Sequence, residues 1–169
     1  MYDWPQQVLD TIREEFSDLP DAAQVTRVTL RLLIAAVLGG VLGYERERKG
    51  KAAGVRTYIL VALGAALFVM IPQQMKVTDA DLTRVLQGLV AGVGFLGAGA
   101  IVRVGDHSQS EVKGLTTAAG IWLTAAIGMA AGMGREATAI LCTGLALTVL
   151  SLFPKVAESF ENRGTIPKP

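Results

Sequence analysis

Cysteine is nearly missing from this chain. Cys142 stands alone among 169 residues, which excludes an internal disulfide and any metal site built on paired thiolates. Histidine is also single: His107 lies in a polar stretch, with no second imidazole to share a metal. Aromatic residues make up 6% and charged residues 18%, against about 25% charged in ordinary soluble domains. The net charge of +1 gives no pull toward nucleic acid. There is no Ser/His/Asp grouping and no C-x-x-C, so the reading is a non-enzyme with no catalytic residue, no cofactor and no metal site. The N-terminus, "MYDWPQQVLDTIREEFSDLPDAA", lacks the basic start and short apolar core of a secretion signal, and no cleavable leader is expected.

What remains is apolar and rich in small residues. The hydrophobic fraction is 51%, the mean hydropathy is +0.42, and 19 residues are glycine. Residues 5–19 carry Val8, Leu9, Ile12, Phe16 and Leu19 at helical spacing, which predicts a short amphipathic helix. Pro20 breaks it, and Asp21 is placed to cap the next helix. Five apolar segments follow, at about 28–44, 57–72, 85–102, 115–133 and 137–153. Each approaches the roughly 17–25 residues that a bilayer-spanning helix requires. The expected architecture is all-α: a polytopic membrane protein of about five transmembrane helices with Gly/Ala-rich packing faces. Its expected divisions are an extracytoplasmic amphipathic helix over 1–24, a membrane domain over 25–153 and a cytoplasmic tail over 154–169.

The third segment contains "GLVAGVGFLGAG", in which Gly92, Gly94 and Gly97 spell G-x-G-x-x-G. A dinucleotide site needs a strand before that motif and an acidic residue about 20 positions beyond it. Here the glycines sit in the middle of an 18-residue apolar run, followed by a polar loop and another apolar segment with no acid until Glu136. Close helix packing explains them better, because small residues let backbones approach where lipid supplies no hydrophobic drive. The packing set is Gly39, Gly43, Gly88, Gly92, Gly94, Gly97, Gly99, Gly120 and Gly128. On that reading Gly92→Leu disrupts packing, while Gln87→Ala is mild. Gln87 and the Thr116–Thr117 pair are expected to make interhelical hydrogen bonds.

Basic residues near the helix ends orient the chain. Arg46, Arg48, Lys49, Lys51, Arg56, Arg103, Lys113 and the tail residues Lys155, Arg163 and Lys168 fall on one side of a five-span chain. Fewer fall opposite: Arg13, Arg27, Arg31, Lys76, Arg84 and Arg135. The N-terminus is therefore expected outside and the C-terminus in the cytoplasm. Residues 53–67 also align with 113–127, matching Gly54 to Gly114 and Thr57 to Thr117, which suggests two parallel repeats.

Three stretches, "GYERERKGKAAGVRTYILVALGAALF", "RVLQGLVAGVGFLGAGAIV" and "VKGLTTAAGIWLTAAIG", together resemble the signatures of the MgtC/SapB family of bacterial inner-membrane proteins. The likeness covers about residues 30–150. It implies an inner-membrane regulator of adaptation to low magnesium and of intracellular survival. Such a protein acts on membrane partners such as the proton-driven ATP synthase rather than by magnesium transport itself. Longer family members append a soluble C-terminal domain, whose functions do not carry over. The family's motifs fall on Glu45–Arg46–Glu47, on Ala53, Gly54, Arg56 and Thr57, on Asp81 and Arg84, on 94–99 and on 114–119. Leu82 stands where the family has proline, so the turn there is expected to be looser.

Residue by residue, Glu45 is the first charge after an apolar run, with Arg56 and Arg103 expected at the same level. Glu45 is therefore expected to pair with Arg56 or Arg103, unless the whole run is a solvated orientation signal. Asp81 and Arg84 form either a helix cap or, with Asp79, Glu14, Glu15, Asp18 and Asp21, a weak cation-sensing surface. The candidate polar cluster is Glu45, Arg46, Arg56, Asp81, Arg84 and Arg103. The expected partners are the bilayer, other membrane complexes and a second copy of the chain, with no nucleic acid. The alternative function is a small divalent-cation or other ion channel or transporter.

Overall fold

The structure is a computed structural model that describes residues 4–17, 21–104 and 111–164. Six helices occur among them, in two compact units, Met1–Leu30 and Arg31–Pro169. The first unit holds α1 (Trp4–Glu15) and the start of α2 (Ala22–Arg48). α1 has the expected amphipathic spacing, yet none of its residues is buried. Asp21 Oδ1 accepts the Gln24 amide at 2.6 Å and caps α2 as its position suggested.

The second unit carries the rest of α2, then α3 (Val55–Gln74), α4 (Asp79–Gly99), α5 (Leu115–Gly132) and α6 (Glu136–Gly164). α2, α3, α4 and α5 are long and apolar enough to cross a membrane; the apolar part of α6, Glu136–Leu152, is shorter. α6 nevertheless joins the same two ends as its neighbours. Its first residue, Glu136, lies 4.0 Å from Arg31, while its Leu150 carbonyl accepts from Lys49 at the other end. The helix also runs on to Gly164, so residues 154–164, expected as tail, have helical backbone.

One expected loop is partly a sheet. β1 (Val102–Val104) and β2 (Glu111–Lys113) form an antiparallel ladder pairing Val102 with Lys113 and Val104 with Glu111. His107 lies outside the described residues. Gly114 then turns the chain into α5 at φ +95°, where a Cβ would run into the Ala100 carbonyl. Only glycine fits both the angle and the space.

The core is built on α3, with α2 on one flank and α5 on another. A Cβ on Gly39 would come 2.7 Å from the Tyr58 carbonyl, and one on Gly43 2.7 Å from the Val55 Cα. On α5, Gly120 meets Tyr58, Gly128 meets Ala62 and Gly132 meets Ala66. Partners on both helices advance together, so α3 and α5 run parallel, with Gly54 and Gly114 starting them at the same end. Ala62, Ala66, Ala125 and Ala131 fill the middle of this contact and are almost completely buried. Small residues thus let backbones touch, which is how helices associate without help from water.

The glycines of α4 correct the expectation in part. Gly97 sits in ordinary contact with Ala118, but nothing lies within 4 Å of a Cβ placed on Gly88, Gly92, Gly94 or Gly99. Within the chain these four are not packing glycines. Gly88, Gly92 and Gly99 line an open apolar groove of about 1090 Å³ between α3, α4 and α5. The expected interhelical bonds are not formed among the described residues: Gln87 and Thr116 are exposed, and the buried Thr117 hydroxyl has no hydrogen-bond partner. Thr124 and Thr143, also buried, bond carbonyls of their own helices.

At the end opposite Lys49, Arg31 ties three helices. Its Nη1 donates to the Gly132 carbonyl at 2.9 Å and to Gln73 Oε1 at 3.3 Å. Hydrogen bonds from a charged group are worth about 1.5–3 kcal/mol each. Arg31→Ala is therefore expected to cost about 2 kcal/mol, read as a lower thermal midpoint of the detergent-purified protein.

Candidate functional site

Charge gathers where α2 ends. Glu45 Oε2 accepts from Arg46 Nε at 2.5 Å, and its Oε1 lies 2.6 Å from Lys49 Nζ. The second pair has i, i+4 spacing, with the acid on the N-terminal side as the helix favours. Neighbours at i, i+1 do not face each other on a helix, so the Glu45–Arg46 contact requires both side chains to fold toward one point. That point is inside the protein: Arg46 is only 2% exposed. Lys49 reaches onward to the Leu150 carbonyl at 2.5 Å, linking the cluster to α6.

Tyr58 completes the surroundings from α3. It is fully buried, its ring is pressed between α2 and Gly120 of α5, and its hydroxyl has no hydrogen-bond partner. Glu47 serves a different purpose. Its Oε2 accepts the Val55 amide at 2.9 Å, supplying the N-terminal cap that Gly54, lacking a side chain, cannot provide. Negative charge there also suits the positive end of the α3 dipole.

The six residues singled out from the sequence do not form one cluster. Glu45 and Arg46 meet, but Glu45 pairs with Arg46 and Lys49 rather than with Arg56. Arg56 lies near the same end, exposed, with no ion pair or hydrogen bond among the described residues. The backbone of Arg103 pairs with Val112 in the hairpin; its side chain lies outside the described residues. Asp81 and Arg84 are at the far end, at the start of α4. They pair at 3.0 Å, and Thr78, the cap of α4, accepts the Asp81 amide at 3.2 Å while donating to Asp81 Oδ2 at 2.7 Å. Leu82 in place of proline leaves this turn well formed: Leu82 donates its amide to the Thr78 carbonyl at 3.0 Å, a bond proline would lack.

Among the described residues, no group of three or more His, Cys, Asp or Glu side chains is placed to hold a metal ion; Asp18 lies outside them. Two contributors escaped the sequence reading. Lys49 was legible from its i, i+4 relation to Glu45, whereas Tyr58 gave no signal within its apolar run. Chemically, the Glu45–Arg46–Lys49 cluster sets one carboxylate between two cations and joins the ends of α2 and α6.

Comparison with known proteins places this arrangement. The MgtC family model matches residues 32–159. The chain is 43% identical over 138 residues to "Protein SrpB" of Synechococcus elongatus, covering 76% of each. It is 37% identical over 141 residues to "Putative magnesium transporter YhiD" of Escherichia coli K12, covering 79% of this chain and 64% of that protein. It is 39% identical over 127 residues to "Protein MgtC" of Brucella abortus, covering 75% and 51% respectively. The chain thus spans from about half to three quarters of the length of these relatives. No solved structure matches it. The chain belongs to the MgtC family and is a membrane protein.

Proposed function

We propose that this MgtC-family chain is a non-enzymatic regulator in the bacterial inner membrane. It works by lateral contact with other membrane complexes during adaptation to low magnesium. The family resemblance names intracellular survival as one setting and the proton-driven ATP synthase as one partner. The N-terminus lies outside and the C-terminus in the cytoplasm, following the bias of Lys and Arg toward the end that carries Arg46 to Lys51.

One observation carries the reading. The centre of the bundle is filled by alanines and glycines in backbone contact, and the ion pairs of the second unit sit at its two ends. A coupled ion pathway needs ionisable or polar groups facing inward at membrane depth. This interior instead favours a solid scaffold whose apolar outer faces, including exposed Phe68, Phe95, Leu141 and Leu145, meet lipid or neighbouring proteins.

Transport is the second reading, favoured by the name of the Escherichia coli relative. Magnesium flux into liposomes separates the two. The folded full-length protein is expected to give no flux above empty liposomes, with or without an imposed voltage, while restoring growth of a deletion strain at low magnesium. Saturable magnesium flux would replace regulation with transport.

A further inference from the structure

The groove between α3, α4 and α5 has one apolar end and one polar end. Its apolar walls come from Leu60, Phe68, Leu89, Val93 and Phe95, with Gly64, Gly88 and Gly92 as a floor without side chains. Between Arg56 and Phe68 it follows α3 for about 18 Å at 1.5 Å per residue. That is close to the depth of one leaflet of a ~30 Å hydrocarbon core. The polar end is made by Arg56, Thr57 and Thr117, and no acidic residue lines any part of the groove.

These three polar residues have unused hydrogen-bonding capacity. Arg56 has no partner among the described residues. Thr117 is 3% exposed, and its hydroxyl also lacks a partner among them, although it borders the groove. Arg56 and Thr57 lie in the first turn of α3, and Thr117 in the first turn of α5. First-turn amides have no carbonyl to bind within their own helix; at α3 Glu47 takes the Val55 amide, whereas α5 begins with a glycine that offers no side-chain cap. The positive end of α5 and the Arg56 guanidinium therefore border the same groove.

We propose that this groove binds an anionic phospholipid: one acyl chain lies along the glycine floor of α4, and the headgroup phosphate sits on Arg56 with the Thr57 and Thr117 hydroxyls. A phosphate fits the unpaired cation and the free donors. A chain without bulk or branching fits a slot that has space for added side chains but none for charge. The polar end is also the end that carries Arg46, Arg48, Lys49 and Lys51, where anionic headgroups concentrate. A second copy of the chain would fill the apolar slot but would leave Arg56 and Thr117 without an acceptor.

Native mass spectrometry of the full-length protein in mild detergent tests this, with phosphatidylglycerol, phosphatidylcholine and soluble glycerol phosphate as probes. The wild type is expected to hold phosphatidylglycerol at least tenfold more tightly than phosphatidylcholine and not to retain glycerol phosphate. Arg56→Gln is expected to erase the preference between the lipids. Gly92→Leu, which fills open space, is expected to lose both lipids while melting like the wild type. Gly88→Leu serves if that variant does not fold, and Arg84→Gln, at the far end, should bind as the wild type does. Equal retention of the two lipids by the wild type overturns the proposal, as does undiminished phosphatidylglycerol binding in Arg56→Gln or in the filled-groove variant. Retention of glycerol phosphate would make the polar end a soluble-anion site instead. Near-complete disulfide dimerisation of Gly92→Cys in a Cys142→Ser background would show that a second copy occupies the groove.

Discussion

Gly128→Leu is expected to leave little folded protein. A Cβ there would lie 2.8 Å from the Ala62 Cα and closer still to the Ala62 carbonyl oxygen, both backbone atoms of a neighbouring helix. Backbone cannot turn aside as a flexible side chain can, so α3 and α5 must separate. One turn on, Gly132 makes the same kind of contact with Ala66, 2.8 Å from its Cα, so a shift at one site opens the other. Overpacking typically costs about 1–3 kcal/mol for added methylenes. A whole leucine against backbone should exceed that range and consume much of the roughly 5–15 kcal/mol that holds an ordinary domain together. Gly128→Ala is expected to fall within the 1–3 kcal/mol range and to remain foldable. The measurement is the monodisperse yield after detergent extraction, with a thermal midpoint for whatever survives. Gly92→Leu provides the comparison: the same change in α4 should extract and melt normally, because no atom lies within 4 Å of its Cβ. Equal behaviour of the two leucine variants would refute the close-packing account.

Glu45→Ala carries the second large effect. It removes the carboxylate that faces Arg46 and leaves a 2%-exposed guanidinium without a counter-charge. Breaking one side of a buried pair typically costs about 3–5 kcal/mol, most of it the uncompensated charge. Lys49 is about one-third exposed and can turn to solvent, so the penalty falls on Arg46. If the uncompensated charge is the cause, Glu45→Ala with Arg46→Met should recover much of the loss, since the methionine stem fills the space without needing a partner. The double variant's thermal midpoint should then lie above that of Glu45→Ala alone. Strictly additive losses would mean that the two residues act independently and that the contact between them contributes nothing.

The two predictions draw unequally on the sequence. Helix positions followed from apolar run length and from Pro, Gly and Asp at the boundaries, which act locally and can be read locally. The Asp21 cap, the existence of all five apolar helices and their order were legible in that way. The same holds for family membership, because three ordered motifs specify more than composition does. The hairpin of β1 and β2 was not legible, since its ladder joins residues across a stretch that reads as polar loop.

Glycine shows where local reading ends. Gly92 and Gly128 look alike in sequence, each within an apolar run and each spaced four residues from another small residue. Yet one faces an open groove and the other a carbonyl oxygen. A small residue permits close approach but does not supply the neighbour, and which faces meet depends on how whole helices cross. The charges behave likewise. The chain alone places Glu45 among several cations near the water boundary. Only the tertiary arrangement gives it Arg46 and Lys49 and leaves Arg56, without an ion pair among the described residues, at the edge of an apolar groove. Composition and periodicity determined that this is a helical membrane protein; the packing of α3 against α2 and α5 decided which of its small and charged residues hold it together and which remain available to bind.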